Sequence, residues 1–255
     1  MSLLLEARFL NKRFSNVDAL DNVSLTVNRR EILAIVGESG SGKSTLLATL
    51  AGLSPADSGH VLYRDAEGPH DIAAMDEMRL RRLQRTRWGY IHQNARAALR
   101  LDVTAGGNIG ERLMMNGARD YGEIRETAAR WLDEVEIGRE RIDDLPMHFS
   151  GGMLQRLQIA ATLVTNPELI FMDEPTTGLD VSVQARILDL IRTLVHRLHV
   201  AAIIVTHDLG VARLLADRTV VMQGGAIVEQ GLTDQVLDDP HHPYTQLLVS
   251  SVLPS

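Results

Sequence analysis

The chain has 255 residues, 45% of them hydrophobic and 23% charged, with a net charge of −7. This balance suits a soluble globular protein long enough to bury a sizeable core, and it disfavours a broad nucleic-acid or anionic-membrane surface. Having no cysteine removes disulfides, thiolate metal sites and iron–sulfur clusters together, and fits a reducing compartment such as the cytoplasm.

Glu6 cuts the first apolar run after Leu3-Leu4-Leu5, so no signal peptide is expected. Runs of β character at Leu3–Phe9 and Val23–Val27 flank a turn-rich Asn16–Asn22. Ile32–Val36 is apolar throughout and reads as a buried parallel strand. It leads through Gly37-Glu38-Ser39-Gly40-Ser41-Gly42-Lys43-Ser44 into a helix expected over Lys43–Ala51, stopped by Gly52 with Pro55 beyond. Strand signals return at His60–Arg64 and Trp88–Ile91. Between them Arg79, Arg81, Arg82, Arg85 and Arg87 follow Asp76 and Glu77. That order suits a solvated helix with acids at its positive end, or a docking patch for an acidic surface.

From about Ala95 to Thr165 the pattern is helical. Ile124, Ala128, Trp131, Leu132 and Val135 mark one buried face of Tyr121–Glu136, and Gly151–Thr165 forms a second helix. The order then runs strand Glu168–Met172, helix Val181–Leu198, strand Val200–Thr206, helix Leu209–Ala216, and a pair Thr219–Met222 and Ala226–Glu229 hinged at Gly224-Gly225. The longest apolar stretch, Val200–Val205, is far too short to span a bilayer. The expectation is one domain over 1–255: an α/β parallel-sheet core with β-rich flanks from 1–93 and 166–255, and a helical subdomain at 94–165.

Gly37–Ser44 is a complete phosphate-binding loop. Its glycines let successive backbone N–H groups face a phosphate, and the helix starting at Lys43 adds its positive end. Lys43 suits the β- and γ-phosphates of ATP, the Ser44 hydroxyl suits Mg²⁺, and Thr45 is placed to reach the α-phosphate. Leu169–Glu174 is an apolar strand ending in two acids. Asp173 is expected in the Mg²⁺ shell, and Glu174 is expected to orient or deprotonate the attacking water. His241 and His242 lack the spacing of a metal site and read as surface packing.

Ser150-Gly151-Gly152-Met153, followed by Gln155-Arg156, resembles the signature motif of ABC-type ATPases, usually Leu-Ser-Gly-Gly-Gln. The resemblance runs in order over essentially the whole chain and implies the P-loop fold of that family: a RecA-like parallel-sheet core, an antiparallel β subdomain and an inserted α-helical subdomain. It implies a head-to-tail pair of copies around two ATP molecules, in which Ser150–Met153 of one copy closes on the nucleotide of the other. Gln93 resembles the glutamine that senses Mg²⁺ and the water, His207 the switch histidine at the γ-phosphate, and Asp180 the loop that crosses the dimer interface. Phe14 falls where the family places an adenine-stacking aromatic, usually tyrosine. Together with Gly37, Ser39, Gly40, Ser41, Gly42, Lys43, Ser44 and Thr45 it is expected to hold the nucleotide.

Several stretches resemble the ATPases of oligopeptide and nickel importers, among them Leu179-Asp180-Val181-Ser182-Val183 and His242-Pro243-Tyr244-Thr245. The segment Gln93–Met114 departs from them. Together with Arg141–Pro146 and Leu237–Tyr244 it resembles the ATP-binding subunits of bacterial carbon–phosphorus lyase systems. That resemblance implies a soluble phosphonate-degrading complex as partner, docked through 93–114, with room for a second, related ATPase and with neither membrane insertion nor nucleic acid. The other reading is the motor of an oligopeptide- or nickel-type importer, which implies a transmembrane partner. DNA-repair ATPases match poorly, since the insertion between Gln93 and Asp173 is compact.

Overall fold

Two long antiparallel strands open the chain. β1 (Leu3–Phe14) and β2 (Val17–Asn28) pair with Leu5 opposite Val27, Ala7 opposite Leu25 and Leu10 opposite Val23, and all six of these side chains are buried. The strands reach further than expected. Of the stretch Asn16–Asn22 only Asn16 belongs to a turn: the chain turns at Ser15 and Asn16, and Val17 and Asp18 already pair with Phe14 and Arg13. β2 is the outer strand of its sheet, so its polar side chains can face solvent, and register shifts with Asn22 at φ 52 absorb the irregularity. β3 (Ile32–Val36) and α1 (Lys43–Leu50) follow. β4 (Ser58–Asp65) and β5 (Gly68–Asp71) then complete a four-stranded sheet in the order β2-β1-β4-β5. The structure, a computed structural model, describes residues 2–252.

The chain divides into two units, Met1–Leu80 with Ala201–Ser255, and Arg81–Val200. α2 (Glu77–Thr86) straddles the first boundary and carries the arginine run. Asp76 Oδ1 accepts from Arg79 N at 2.7 Å at its start, and Leu83 is its one buried residue. Charged positions therefore cover most of this helix, with the acid at the positive end.

In the second unit β6 (Trp88–Ile91) precedes α3 (Ala95–Ala98), α4 (Ala105–Met115), α5 (Tyr121–Glu134) and α6 (Gly151–Leu163). β7 (Leu169–Asp173) and α7 (Val181–Leu198) follow. The helical segment expected at 94–165 lies in this unit, together with two parallel strands. β6 and β7 pair from Trp88–Leu169 to Ile91–Met172, and Trp88 meets Phe171 edge-on at 5.2 Å. α5 starts where Asp120 accepts from Glu123 N at 2.9 Å and buries Ile124, Ala128 and Leu132 at helical spacing. Arg156 of α6 donates to the carbonyl oxygens of Val135 and Glu136, at 3.3 and 3.2 Å, so the two helices are tied at the point where α5 ends.

The chain then returns to the first unit with β8 (Ala201–Thr206), α8 (Leu209–Leu215), β9 (Arg218–Gln223) and β10 (Ala226–Leu232). α9 (Thr233–Asp238) and α10 (Pro243–Val252) close the described chain. β3 lies between β8 and β9, parallel to both, and β10 pairs antiparallel with β9. Every residue of β3 and β8 is buried, as the continuous apolar runs foretold. Among the described residues no helix is long and apolar enough to cross a membrane.

A carboxylate is buried beside this sheet. Glu31, 2% exposed, accepts from Arg218 Nη1 at 2.9 Å and from Asn28 N at 2.6 Å. Arg218→Ala would leave that carboxylate without its cation. We expect an unfolding free energy lower by about 2–3 kcal/mol, toward the small end for a broken buried pair because Arg218 is partly solvated. Urea denaturation measures it, and an unchanged midpoint would mean that the pair contributes nothing net.

Candidate active site

The turn after β3 is built around main-chain groups. Gly42, at φ 99, has no room for a side chain, since a Cβ there would run into the carbonyl oxygen of Ala19. α1 begins directly afterwards, with no side-chain cap and no acid in its first turn. Its positive end therefore faces the loop, with no acid in that turn to offset it. Lys43 is buried and turns its ammonium back across the loop: Nζ donates to the carbonyl oxygens of Gly37 and Glu38, each at 2.7 Å. Ser41 is buried beneath, while Ser39, Gly40 and Ser44 are exposed and Thr45 is half-buried.

His207 joins this loop through the sheet. Val36 is paired with Thr206, so the phosphate loop and His207 leave neighbouring parallel strands at the same edge. The turn carrying His207 is fixed on its far side, where Asp208 Oδ1 accepts from Gly210 N at 2.8 Å and Asp208 N donates to Thr206 Oγ1 at 3.0 Å. Phe14 sits at the end of the β1–β2 hairpin, paired with Val17. It is 51% exposed, with the Lys12 ammonium 5.4 Å from the ring centre, so it is a surface aromatic and not part of the core.

In the second unit the pairing of Ile91 with Met172 brings Gln93 and the Asp173-Glu174 pair to one edge in the same way. Gln93 Nε2 donates to Glu174 Oε2 at 3.4 Å. The same oxygen accepts from Thr177 Oγ1 at 2.8 Å, and Thr177 N donates to the Glu174 carbonyl at 3.1 Å. Glu174 itself is left-handed at φ 44, a conformation that costs a non-glycine residue about 1 kcal/mol. A strained backbone whose carboxylate is gripped by a hydroxyl belongs to a side chain whose direction matters. Nearby, burial and the Asp173 carboxylate push the Tyr90 phenol up to about 12.

The signature segment forms the N-terminus of α6. Ser150 Oγ accepts from Met153 N at 3.3 Å, Gly151 is exposed, and Gly152 and Met153 are half-buried. A side chain at Gly152 would collide with Val183, and one at Gly151 would press on Leu179. Gly151 therefore packs against the turn that carries Asp180, itself exposed just before α7, and Gly152 against the first turn of α7.

Sequence reasoning missed Thr177. The signal available was a hydroxyl three residues after an acid in Glu-Pro-Thr-Thr-Gly, a spacing that lets a turn fold it back onto the carboxylate. Among the described residues Asp65, Glu67 and His70 stand close enough together to hold a metal ion. However, His70 already contacts Asp65 through Nε2 at 2.9 Å and Arg79 through Nδ1 at 3.2 Å, so its ring nitrogens serve a charge network.

Known proteins with this arrangement agree. The family model for ABC transporters matches residues 20–177, and that for the oligopeptide/dipeptide transporter C-terminal region matches 228–255. The chain is 59% identical to the putative phosphonates utilization ATP-binding protein PhnK of Escherichia coli over 98% of both chains. It is 40% identical to a putative peptide import ATP-binding protein of Brucella melitensis, over 94% of this chain and 73% of that one. In three dimensions it is similar to the dimeric ATP-binding cassette MJ0796 bound to ADP and Pi, with a TM-score of 0.80 and 28% identity over 90% of this chain and 99% of the other. It is likewise similar to cbiO1 from Clostridium perfringens, with a TM-score of 0.81 and 27% identity over 100% of this chain and 97% of the other. A glycine loop on a buried strand, an acid-tipped second strand and a serine-capped signature helix, matched over nearly the full length, place this chain in the ABC transporter family as one of its ATP-binding, ATP-hydrolysing cassettes.

Proposed function

We propose that this ATPase works as a head-to-tail pair of copies and drives a conformational change in a soluble phosphonate-degrading assembly. The observation that carries the reading is the near full-length, 59% match to the phosphonate utilization protein. The segment 93–114, which sets the chain apart from peptide importers in sequence, is the docking surface in this reading. The family model for oligopeptide/dipeptide transporters at 228–255 and the peptide-import relatives favour a second reading, the motor of an importer. Under either reading the chain works in the cytoplasm.

Each residue has a role set by its chemistry. The backbone from Gly37 to Gly42, the serines Ser39 and Ser41, and Lys43 bind the triphosphate, Thr45 reaches the α-phosphate, and Phe14 stacks on adenine. Ser44, Asp173 and Gln93 offer the oxygen donors that suit Mg²⁺ and would hold it. When bound, that ion neutralises charge on the transferred phosphoryl group. Glu174 orients the water and takes its proton, with its carboxylate aimed by Thr177. His207 and, from the signature Ser150–Met153 of the second copy, Ser150 and Gly152 donate toward the γ-phosphate, and Asp180 lines the interface between copies. ATP closes the pair, hydrolysis opens it, and the motion passes to whatever is docked.

Lys43→Ala is expected to abolish nucleotide binding, read by calorimetric titration. Glu174→Gln should keep binding while kcat drops by about 10²–10⁴-fold, and should trap an ATP-bound dimer visible by size exclusion. ATP hydrolysis at the wild-type rate in that variant would remove Glu174 from its role. Thr177→Ala should lower kcat about tenfold with KM little changed, whereas Thr177→Ser, which keeps the hydroxyl, should restore it. A pull-down with Glu174→Gln and ATP from native cells separates the partners. Recovery in a large soluble complex supports the phosphonate reading, and recovery with a transmembrane protein supports the importer.

A further inference from the structure

The phosphate loop gives one hydrogen bond to a residue 206 positions away: Glu38 N donates to the hydroxyl of Tyr244 at 3.0 Å. The carbonyl of Glu38 meanwhile accepts from Lys43 Nζ at 2.7 Å. This residue of the loop is thus held through both of its main-chain groups, by a phenol and by an ammonium. The next two positions, Ser39 and Gly40, are exposed, with Gly40 at φ 83; across them the loop's own bond is Ser41 N donating to the Glu38 carbonyl at 3.2 Å, which leaves the Glu38 N–H to Tyr244.

Tyr244 is itself firmly seated. It is 8% exposed, at the start of α10. Tyr244 N donates to His242 Nδ1 at 3.2 Å. The carboxylate of Glu229, on β10, accepts from His241 N at 2.8 Å and from His242 N at 3.1 Å. Gln246 adds two further bonds, from its backbone to the His242 carbonyl at 3.0 Å and from its amide to the Pro240 carbonyl at 2.9 Å. The pair of histidines thus serves as backbone donors to one carboxylate, which sets the angle at which α10 begins. A buried ring whose polar tip reaches out to a single partner is what distinguishes tyrosine from phenylalanine at such a site.

We propose that Tyr244 is a positioning residue of the ATPase: its hydroxyl, seated by the Glu229 clamp on His241 and His242, anchors Glu38 and presets the phosphate loop for nucleotide. The inference rests on the reading of Gly37–Thr45 as the triphosphate cradle. A loop already ordered has less conformational freedom to lose on binding, so the anchor acts on nucleotide affinity and not on the chemical step. It also links the C-terminal stretch 228–255 to the nucleotide, independently of any partner.

The test is calorimetric titration of the full chain with Mg·ADP. Tyr244→Phe removes one hydroxyl and should weaken ADP binding about three- to tenfold, the size of one hydrogen bond, while kcat at saturating ATP stays near wild type. Glu229→Gln, which leaves Tyr244 in place, should weaken it in the same direction, and the double variant should be no worse than Tyr244→Phe alone. If Tyr244→Phe lowers Tm but the Tm shift on adding ADP is that of wild type, the residue is merely structural and the proposal is overturned. Should Tyr244→Phe fail to fold, Glu229→Gln decides, since wild-type ADP affinity there overturns the clamp. Lys43→Ala run alongside separates the two levels. Loss of ADP binding in Lys43→Ala with wild-type binding in Tyr244→Phe sinks the anchor alone, and undiminished binding in Lys43→Ala sinks the cradle and the anchor with it.

Discussion

The parallel ladder of β3 with its two neighbours is the constraint on which the first unit depends. Five consecutive buried residues, Ile32–Val36, are paired on one side with β8 and on the other with β9. Parallel pairing sends all three strands out at the same edge, so whatever follows them is collected there. Complete burial leaves the strand no freedom to slip, because a one-residue shift would leave buried main-chain groups without partners. The position of the phosphate loop against His207 is therefore a consequence of register. The second unit repeats the device with β6 and β7, which deliver Gln93 and the two acids together.

Two helix starts, α1 behind Gly42 and α6 behind Ser150, carry no acid in their first turns, so their main-chain ends suit an anion without loss of side-chain entropy. Proton and metal chemistry needs side chains, and side chains must be aimed. Glu174 shows how: a left-handed backbone turns the residue out of the strand direction, and the Thr177 hydroxyl then holds one carboxylate oxygen. The strain is tolerable because Pro175 and Thr176 on the same turn are buried and keep it from relaxing.

The C-terminal stretch adds a third kind of control, acting on the loop from outside. Glu229, His241, His242 and Tyr244 form a chain of hydrogen bonds ending on Glu38. The family match at 228–255 covers four of these five residues, and the ABC transporter match at 20–177 covers the fifth. A segment outside the main cassette match thus bonds to a turn inside it.

What could be read from the chain alone was local. Apolar runs marked β3, β7 and β8, glycine spacing marked the loop, and serine before two glycines marked the start of α6, because each depends on neighbours within one turn or strand. The length of β2 was hidden, since Asp18, Asp21 and Asn22 make its first half look like a loop until an outer position in the sheet gives those side chains solvent to face. Thr177 was nearly legible, needing only the fold of one turn. Tyr244 was not legible at all, because nothing in His-His-Pro-Tyr-Thr announces an acceptor for an amide 206 residues earlier. Sequence by itself determined which chemical groups this protein carries and the local elements that bear them. Tertiary structure alone decided which distant groups hold them in place, since contacts across such separations are set by strand register and packing and leave no local pattern.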